Sequence, residues 1–136
     1  MPTLEVEFLG FKMKNPFILA SAPPANTIEM IERAFEQGWG GAVTKTIPLE
    51  KVPVHDVSPR IHSIGFPGFE ADARKVYAFG NIELVSEKHA DYWMAGITQL
   101  RKNWPDRCVM ASIMADGSAQ GDWVELAQRS EQAGAV

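Results

Sequence analysis

Phe17-Ile18-Leu19-Ala20, then Ile28, Ile31, Ala34 and Phe35 at helical spacing, then Gly41-Ala42-Val43-Thr44 decide the fold. The first and last runs show no polar alternation, as expected of strands covered on both faces. Asn26 with Glu29 three residues on forms a capping box for the helix between them, and Gly38 supplies its stop. Strand, helix and buried strand in succession imply a right-handed crossover and a parallel sheet.

Upstream, Leu4, Val6 and Phe8 alternate with acids, Phe11 and Met13 alternate with lysines, and Gly10 stands between, which predicts a β-hairpin. From Ile47 to Gly80 prolines and glycines break every run, so this stretch is expected to carry little regular structure. A helix is predicted from about Ser86 to Asn103, with Trp93, Ile97 and Leu100 on one face and Pro105 ending it. Cys108–Ile113 reads as a third buried strand. A third helix, capped by Asp122 and Glu125, contains Trp123, Leu126 and Ala127 and stops at Gly134. Val136 falls where a further strand is expected to open. Both a doubly wound sheet and a (β/α)₈ barrel accommodate this order locally, and the N-terminal hairpin favours the barrel. Such a barrel takes roughly 250 residues, so the 136 residues are expected to supply about three of its βα units, an open sheet poorly placed to be stable alone.

Composition narrows the function. Hydrophobic residues make up 46% and charged residues 22%, as in globular proteins. A net charge of −4 gives no reason to expect nucleic acid or an anionic membrane as partner. No apolar run approaches the roughly 20 residues of a membrane helix. The single cysteine, Cys108, excludes an intrachain disulfide and suits a reducing cytoplasm. His55, His62 and His89 share no metal-ligand spacing, and the tryptophans read as core or helix-packing residues.

In a parallel α/β protein the chemistry lies at the C-terminal strand ends. Those ends carry Ala20-Ser21-Ala22, Thr44-Lys45-Thr46 and Ile113-Met114-Ala115. Small residues in the first let a ligand approach, although generic tight loops look the same. Lys45 suits two chemistries: a cation beside a flavin ring, or a desolvated amine forming a Schiff base as in aldolases. A plain ion pair with Glu50 or Asp56 is the alternative. Asn81 stands ahead of the predicted second helix, where its amide could cap or could match the imide edge of a pyrimidine. Glu83 reads as a first-turn acid of that helix. Cys108 lies at the wrong end of its strand for catalysis.

Together, Asn15-Pro16-Phe17-Ile18-Leu19-Ala20-Ser21, Ala34-Phe35-Glu36-Gln37-Gly38-Trp39-Gly40, Thr44-Lys45-Thr46, Val57-Ser58-Pro59-Arg60 and Asn81-Ile82-Glu83-Leu84-Val85-Ser86-Glu87-Lys88 resemble the dihydropyrimidine dehydrogenase family, specifically its FMN-binding barrel domain. The first motif and the lysine are shared with dihydroorotate dehydrogenases, and the Asn-Ile-Glu-Leu run separates the two branches. The resemblance covers the chain from the hairpin to Val136 and implies one partial domain over residues 1–136. It implies FMN contacts from Ala20, Ser21, Lys45 and Thr46, and pyrimidine contacts from Asn81 with Glu83 and Val85. The implied reaction reduces the 5,6 double bond of uracil or thymine. Its cysteine acid is expected beyond Val136. Iron–sulfur clusters, NAD(P) and FAD are expected elsewhere, in a partner subunit or domain. The 136 residues alone are expected to be inactive. Dihydroorotate oxidation, and a Lys45 Schiff-base aldolase, are the alternatives.

Overall fold

Apolar runs without a polar face pair as parallel strands, because only a sheet covered on both sides buries them. The computed structural model describes residues 3–49, 58–65 and 76–136, the side chain of Tyr77 excepted. They belong to two units, Met1–Pro53 with Val85–Val136, and Val54–Leu84.

In the first unit, strands β1 (Val6–Phe8) and β2 (Phe11–Met13) form the expected antiparallel hairpin, with Val6 opposite Met13. Leu9 and Gly10 turn it with positive φ angles of 52° and 75°, the pair that a two-residue hairpin turn demands. Strand β3 (Ile18–Leu19) and helix α1 (Ile28–Glu36) follow. The N-cap of α1 is Thr27, not Asn26: its Oγ1 accepts from Met30 N at 3.3 Å. Pro23-Pro24 start a 3-10 turn that carries Asn26 into helical dihedrals, so the extended N-cap conformation passes to the next residue. Glu29 then lies in the first turn instead of closing a capping box. Its carboxyl is held below the usual range by backbone and Thr27 hydrogen bonds.

Strands β4 (Gly41–Val43) and β5 (Ile47–Pro48) come next. Helix α2 runs Ala90–Asn103, starting later than the apolar pattern suggests. Ser86 holds the chain extended, donating its N–H to Thr46 O at 2.7 Å. Its hydroxyl accepts from Lys88 N at 3.0 Å and from Trp93 Nε1 at 2.8 Å. A buried indole N–H needs such a partner. Trp93→Phe is therefore expected to lower unfolding stability by about 1–3 kcal/mol, read by denaturant titration; an unchanged midpoint would contradict the role given to this bond.

Cys108–Ile113 forms two short strands, β8 (Cys108–Met110) and β9 (Ile113–Met114), broken at Ala111-Ser112. Helix α3 (Gln120–Ala133) ends at Gly134, whose φ of 97° makes the left-handed stop expected there. Its cap is Ala119, without a side-chain bond; Asp122 lies in the first turn and Glu125 pairs with Arg129 at 3.3 Å. The buried face of α3 is Leu126, Ser130 and Ala133. Trp123, like Trp39, is exposed, so two of the tryptophans are not core residues.

β3, β4 and β8 form one parallel sheet in that order, and β5 pairs in parallel with β9. The helices cover it with Ile28, Ile31, Phe35, Trp93, Ile97, Leu100 and Leu126. Val136 N donates to Val109 O at 2.9 Å, alongside β8. Among the described residues no helix is long and apolar enough to cross a membrane.

The second unit corrects the reading of residues 47–80 as irregular. Strands β6 (Ile61–Gly65) and β7 (Val76–Asn81) pair antiparallel, with Ile61 opposite Asn81 and His62 opposite Gly80. Ile61 and Phe79 are exposed, so the pattern of burial that marks a strand in sequence is missing here.

Candidate functional site

The C-terminal ends of β3, β4 and β8 lie side by side, since Ile18 pairs with Gly41 and Gly41 with Cys108. At this edge β4 does not run straight into β5. Four positions separate Val43 from Ile47, whereas three separate their partners Met110 and Ile113. One residue is extra on the lysine side, so the chain bulges outward there between two separate ladders, which re-aims the Lys45 backbone beside the strand ends. Thr44 N still donates to Met110 O at 2.9 Å and Ile47 N to Ser112 O at 2.7 Å. Between them Lys45 N turns to Ala25 O at 3.1 Å, and Thr46 O accepts from Ser86 N.

Lys45 is only 7% exposed. A cation so deeply placed costs free energy unless negative or dipolar groups face it, so its position is informative in a way that a surface lysine is not. Glu50 and Asp56, the acids that could pair with it, lie outside the described residues, as do His55 and Val57. Thr44 is fully buried, and its Oγ1 accepts from Ser112 N at 3.1 Å. The Thr46 and Ser112 hydroxyls bond to each other at 2.9 Å.

Ala20 is exposed at the end of β3, and Ser21 is half-buried. Among the described residues the buried Ser21 hydroxyl oxygen has no hydrogen-bond partner. Buried polar atoms are nearly always satisfied, so an orphan at a strand end suits a polar ligand group. Ala20, Ser21, Lys45 and Thr46 thus share one edge of the first unit. Val85 joins them through its neighbour Ser86, bonded to Thr46.

Asn81 and Glu83 belong to the second unit. Asn81 does not precede a helix start: it is the last residue of β7, while α2 begins at Ala90. Glu83 is likewise not a first-turn acid. Its Oε1 accepts from Asn81 Nδ2 at 3.1 Å. That bond uses one amide hydrogen, and among the described residues Oδ1 and the other hydrogen are left for a ligand, still a donor–acceptor pair.

Cys108 is fully buried at the start of β8, and desolvation pushes its thiol up, only partly offset by the charge of Arg101. Lying at the opposite end of the strand, that thiol cannot reach this edge to serve as its acid. A groove of about 480 Å³ does open at that far end, between the hairpin and Asp106. It is lined by both signs of charge, Glu5 and Glu7 against Lys12 and Lys14, and presents none of the residues above. Sequence reasoning missed Ser112; the signal was a hydroxyl interrupting an apolar strand at the depth of Thr44 and Thr46.

No family model matches the chain. Individual proteins do. It is 32% identical to the catalytic subunit of dihydroorotate dehydrogenase B (NAD(+)) of Pyrococcus abyssi, over 93% of this chain and 36% of that protein. The parallel α/β segment with its strand-end lysine is thus similar to part of a dihydroorotate dehydrogenase. More narrowly, it is 35% identical to the chloroplastic dihydropyrimidine dehydrogenase (NADP(+)) of Arabidopsis thaliana, over 98% of this chain. It is 36% identical to the NAD-dependent dihydropyrimidine dehydrogenase subunit PreA of Escherichia coli K12, over 97% of this chain. The chain is thus similar to dihydropyrimidine dehydrogenases over the segment that they share, and it spans about 30% of the length of these relatives.

Proposed function

We propose that this chain is the first part, residues 1–136, of an FMN-binding (β/α)₈ barrel in an oxidoreductase that reduces the 5,6 double bond of uracil or thymine. The observation that carries the proposal is the identity of 35–36% to dihydropyrimidine dehydrogenases along almost the whole chain. The strand-end edge supports it. An orphaned buried hydroxyl at Ser21, a buried cation at Lys45 and the Thr46 hydroxyl suit a polar, electron-accepting heterocycle carrying a phosphate tail. FMN, when bound, supplies hydride transfer to the pyrimidine.

The chain's own residues hold and orient. Exposed Ala20 leaves room for a ring edge, while Ser21 donates or accepts where no partner stands among the described residues. The Lys45 ammonium favours negative charge on a neighbouring ring, and its burial from water strengthens that attraction. Asn81, its amide oriented by Glu83, presents donor and acceptor to the imide edge of the pyrimidine, with the backbone near Glu83 and Val85 assisting. The proton for the reduced carbon comes from a cysteine acid outside these residues. A cytoplasmic partner subunit or domain holding NAD(P), FAD and iron–sulfur clusters would supply the electrons. The 136 residues by themselves are inactive on this reading.

The Pyrococcus relative favours a second reading, oxidation of dihydroorotate on the same scaffold. Turnover decides between them: the protein carrying this chain should oxidise NADH or NADPH when uracil is added and not reduce orotate. Orotate-linked activity without uracil activity would reverse the assignment. Asn81→Ala should raise the KM for uracil roughly tenfold, as loss of a polar contact to a buried ligand does, with FMN content unchanged. Uracil kinetics like those of the wild type would remove Asn81 from the site.

A further inference from the structure

We propose that Ser112 is a positioning residue for the cofactor edge: it locks the bulge that carries Lys45 and fixes the Thr46 hydroxyl. The inference rests on the FMN reading above. Three hydrogen bonds tie Ser112 to the bulged segment. Its N–H donates to Thr44 Oγ1 at 3.1 Å, its carbonyl accepts from Ile47 N at 2.7 Å, and its hydroxyl meets Thr46 Oγ1 at 2.9 Å. The first two clamp the segment on either side of Lys45, through backbone groups that any residue possesses. The third depends on the serine side chain.

Its effect follows from counting hydrogens. Two hydroxyls bonded to one another use one O–H between them, and with Ser112 as the donor of the pair the O–H that remains is that of Thr46. The carbonyl oxygen of Thr46 is already taken by Ser86 N, which fixes the backbone beneath that side chain. Thr46 can therefore place its hydroxyl only within the arc that the bond to Ser112 permits, and the spare donor serves an acceptor on a flat ring at this edge. Without the Ser112 hydroxyl, Thr46 loses its partner and rotates among its staggered positions. The bulge itself, held by backbone bonds, stays in place.

The test is a double-mutant cycle in the protein carrying this chain, with FMN affinity measured by flavin fluorescence titration and the flavin absorption band recorded. Ser112→Ala should weaken FMN binding roughly two- to tenfold, the range of one net hydrogen bond, and should shift the flavin band. Thr46→Val should weaken it at least as much. In the Thr46→Val background, Ser112→Ala should add nothing, since its only route to the ring is gone. Ser112→Thr, which restores a hydroxyl, should bind within about twofold of the wild type, a factor of under 0.5 kcal/mol. Wild-type affinity and spectrum in Ser112→Ala overturn the proposal, and so does a double variant whose loss is the product of the single ones. If Ser112→Ala does not fold, Thr46→Val breaks the same bond from the other side, and an unchanged flavin band there overturns it. A wild-type protein that binds no FMN refutes the flavin reading itself and is distinct from either result.

Discussion

Lys45→Met in the protein carrying this chain is expected to lower uracil-dependent NAD(P)H oxidation by roughly a hundredfold or more, the usual cost of removing a charge-stabilising group from a reaction centre. Methionine keeps the length and apolar volume of the lysine stem, so the buried position remains filled while the charge is lost. The position is 7% exposed, so water has little access to replace the ammonium. FMN content and the thermal midpoint, measured on the same sample, separate a loss of chemistry from a loss of fold. A variant retaining activity within a few-fold would show that Lys45 does not face the reacting ring. Lys45→Arg adds a second discrimination. An electrostatic role leaves measurable activity, because the charge persists, whereas Schiff-base chemistry is abolished, since a guanidinium forms no such adduct.

Gly40→Ala is the substitution expected to damage the fold most. A Cβ at Gly40 would lie 2.2 Å from the backbone oxygen of Asn15 and 2.7 Å from its side-chain oxygen. Neither can withdraw cheaply. Asn15 Nδ2 donates to Gly38 O at 2.8 Å, and Asn15 Oδ1 accepts from Phe17 N at 3.1 Å, so the loop before β3 is braced by the same residue. Gly40 N in turn donates to Phe17 O at 2.9 Å, and Gly40 O accepts from Cys108 N at 3.0 Å, which joins β3, β4 and β8 at their starts. Relieving the clash means breaking that junction. The loss should be about 3 kcal/mol or more, read as the drop in unfolding free energy by denaturant titration. A loss below about 0.5 kcal/mol, the range of ordinary surface changes, would contradict the close approach.

The buried strands were legible in sequence because their runs are apolar: Ile18–Leu19, Gly41–Val43 and Cys108–Met110 form the β3-β4-β8 parallel sheet, although Phe17 and Ala20 at the ends of the first run are exposed and Ile113 pairs in the separate β5–β9 sheet. Helix ends were less so. Tertiary bonds of Ser86 to Thr46 and Trp93 delayed α2, and two prolines moved the cap of α1 from Asn26 to Thr27. The β6–β7 hairpin escaped notice because it exposes Ile61 and Phe79, leaving no alternation of burial to detect. That failure misplaced Asn81 and Glu83 at a helix start. At the strand ends, Ser21, Lys45 and Thr46 could be read because position after a buried strand nearly determines a candidate. The bulge could not be read, since it depends on pairing register between distant segments, and with it Ser112 was missed.

The proposed role of the Lys45 edge and Asn81 is to serve a flavin and a pyrimidine. It is tested most directly by titrating the FMN-loaded protein carrying this chain with uracil while recording the flavin spectrum. A saturable perturbation of the flavin band by uracil, absent with orotate and weakened by Asn81→Ala, is the predicted result. A protein that takes up no FMN, or whose flavin spectrum is insensitive to uracil up to its solubility limit, would contradict the account.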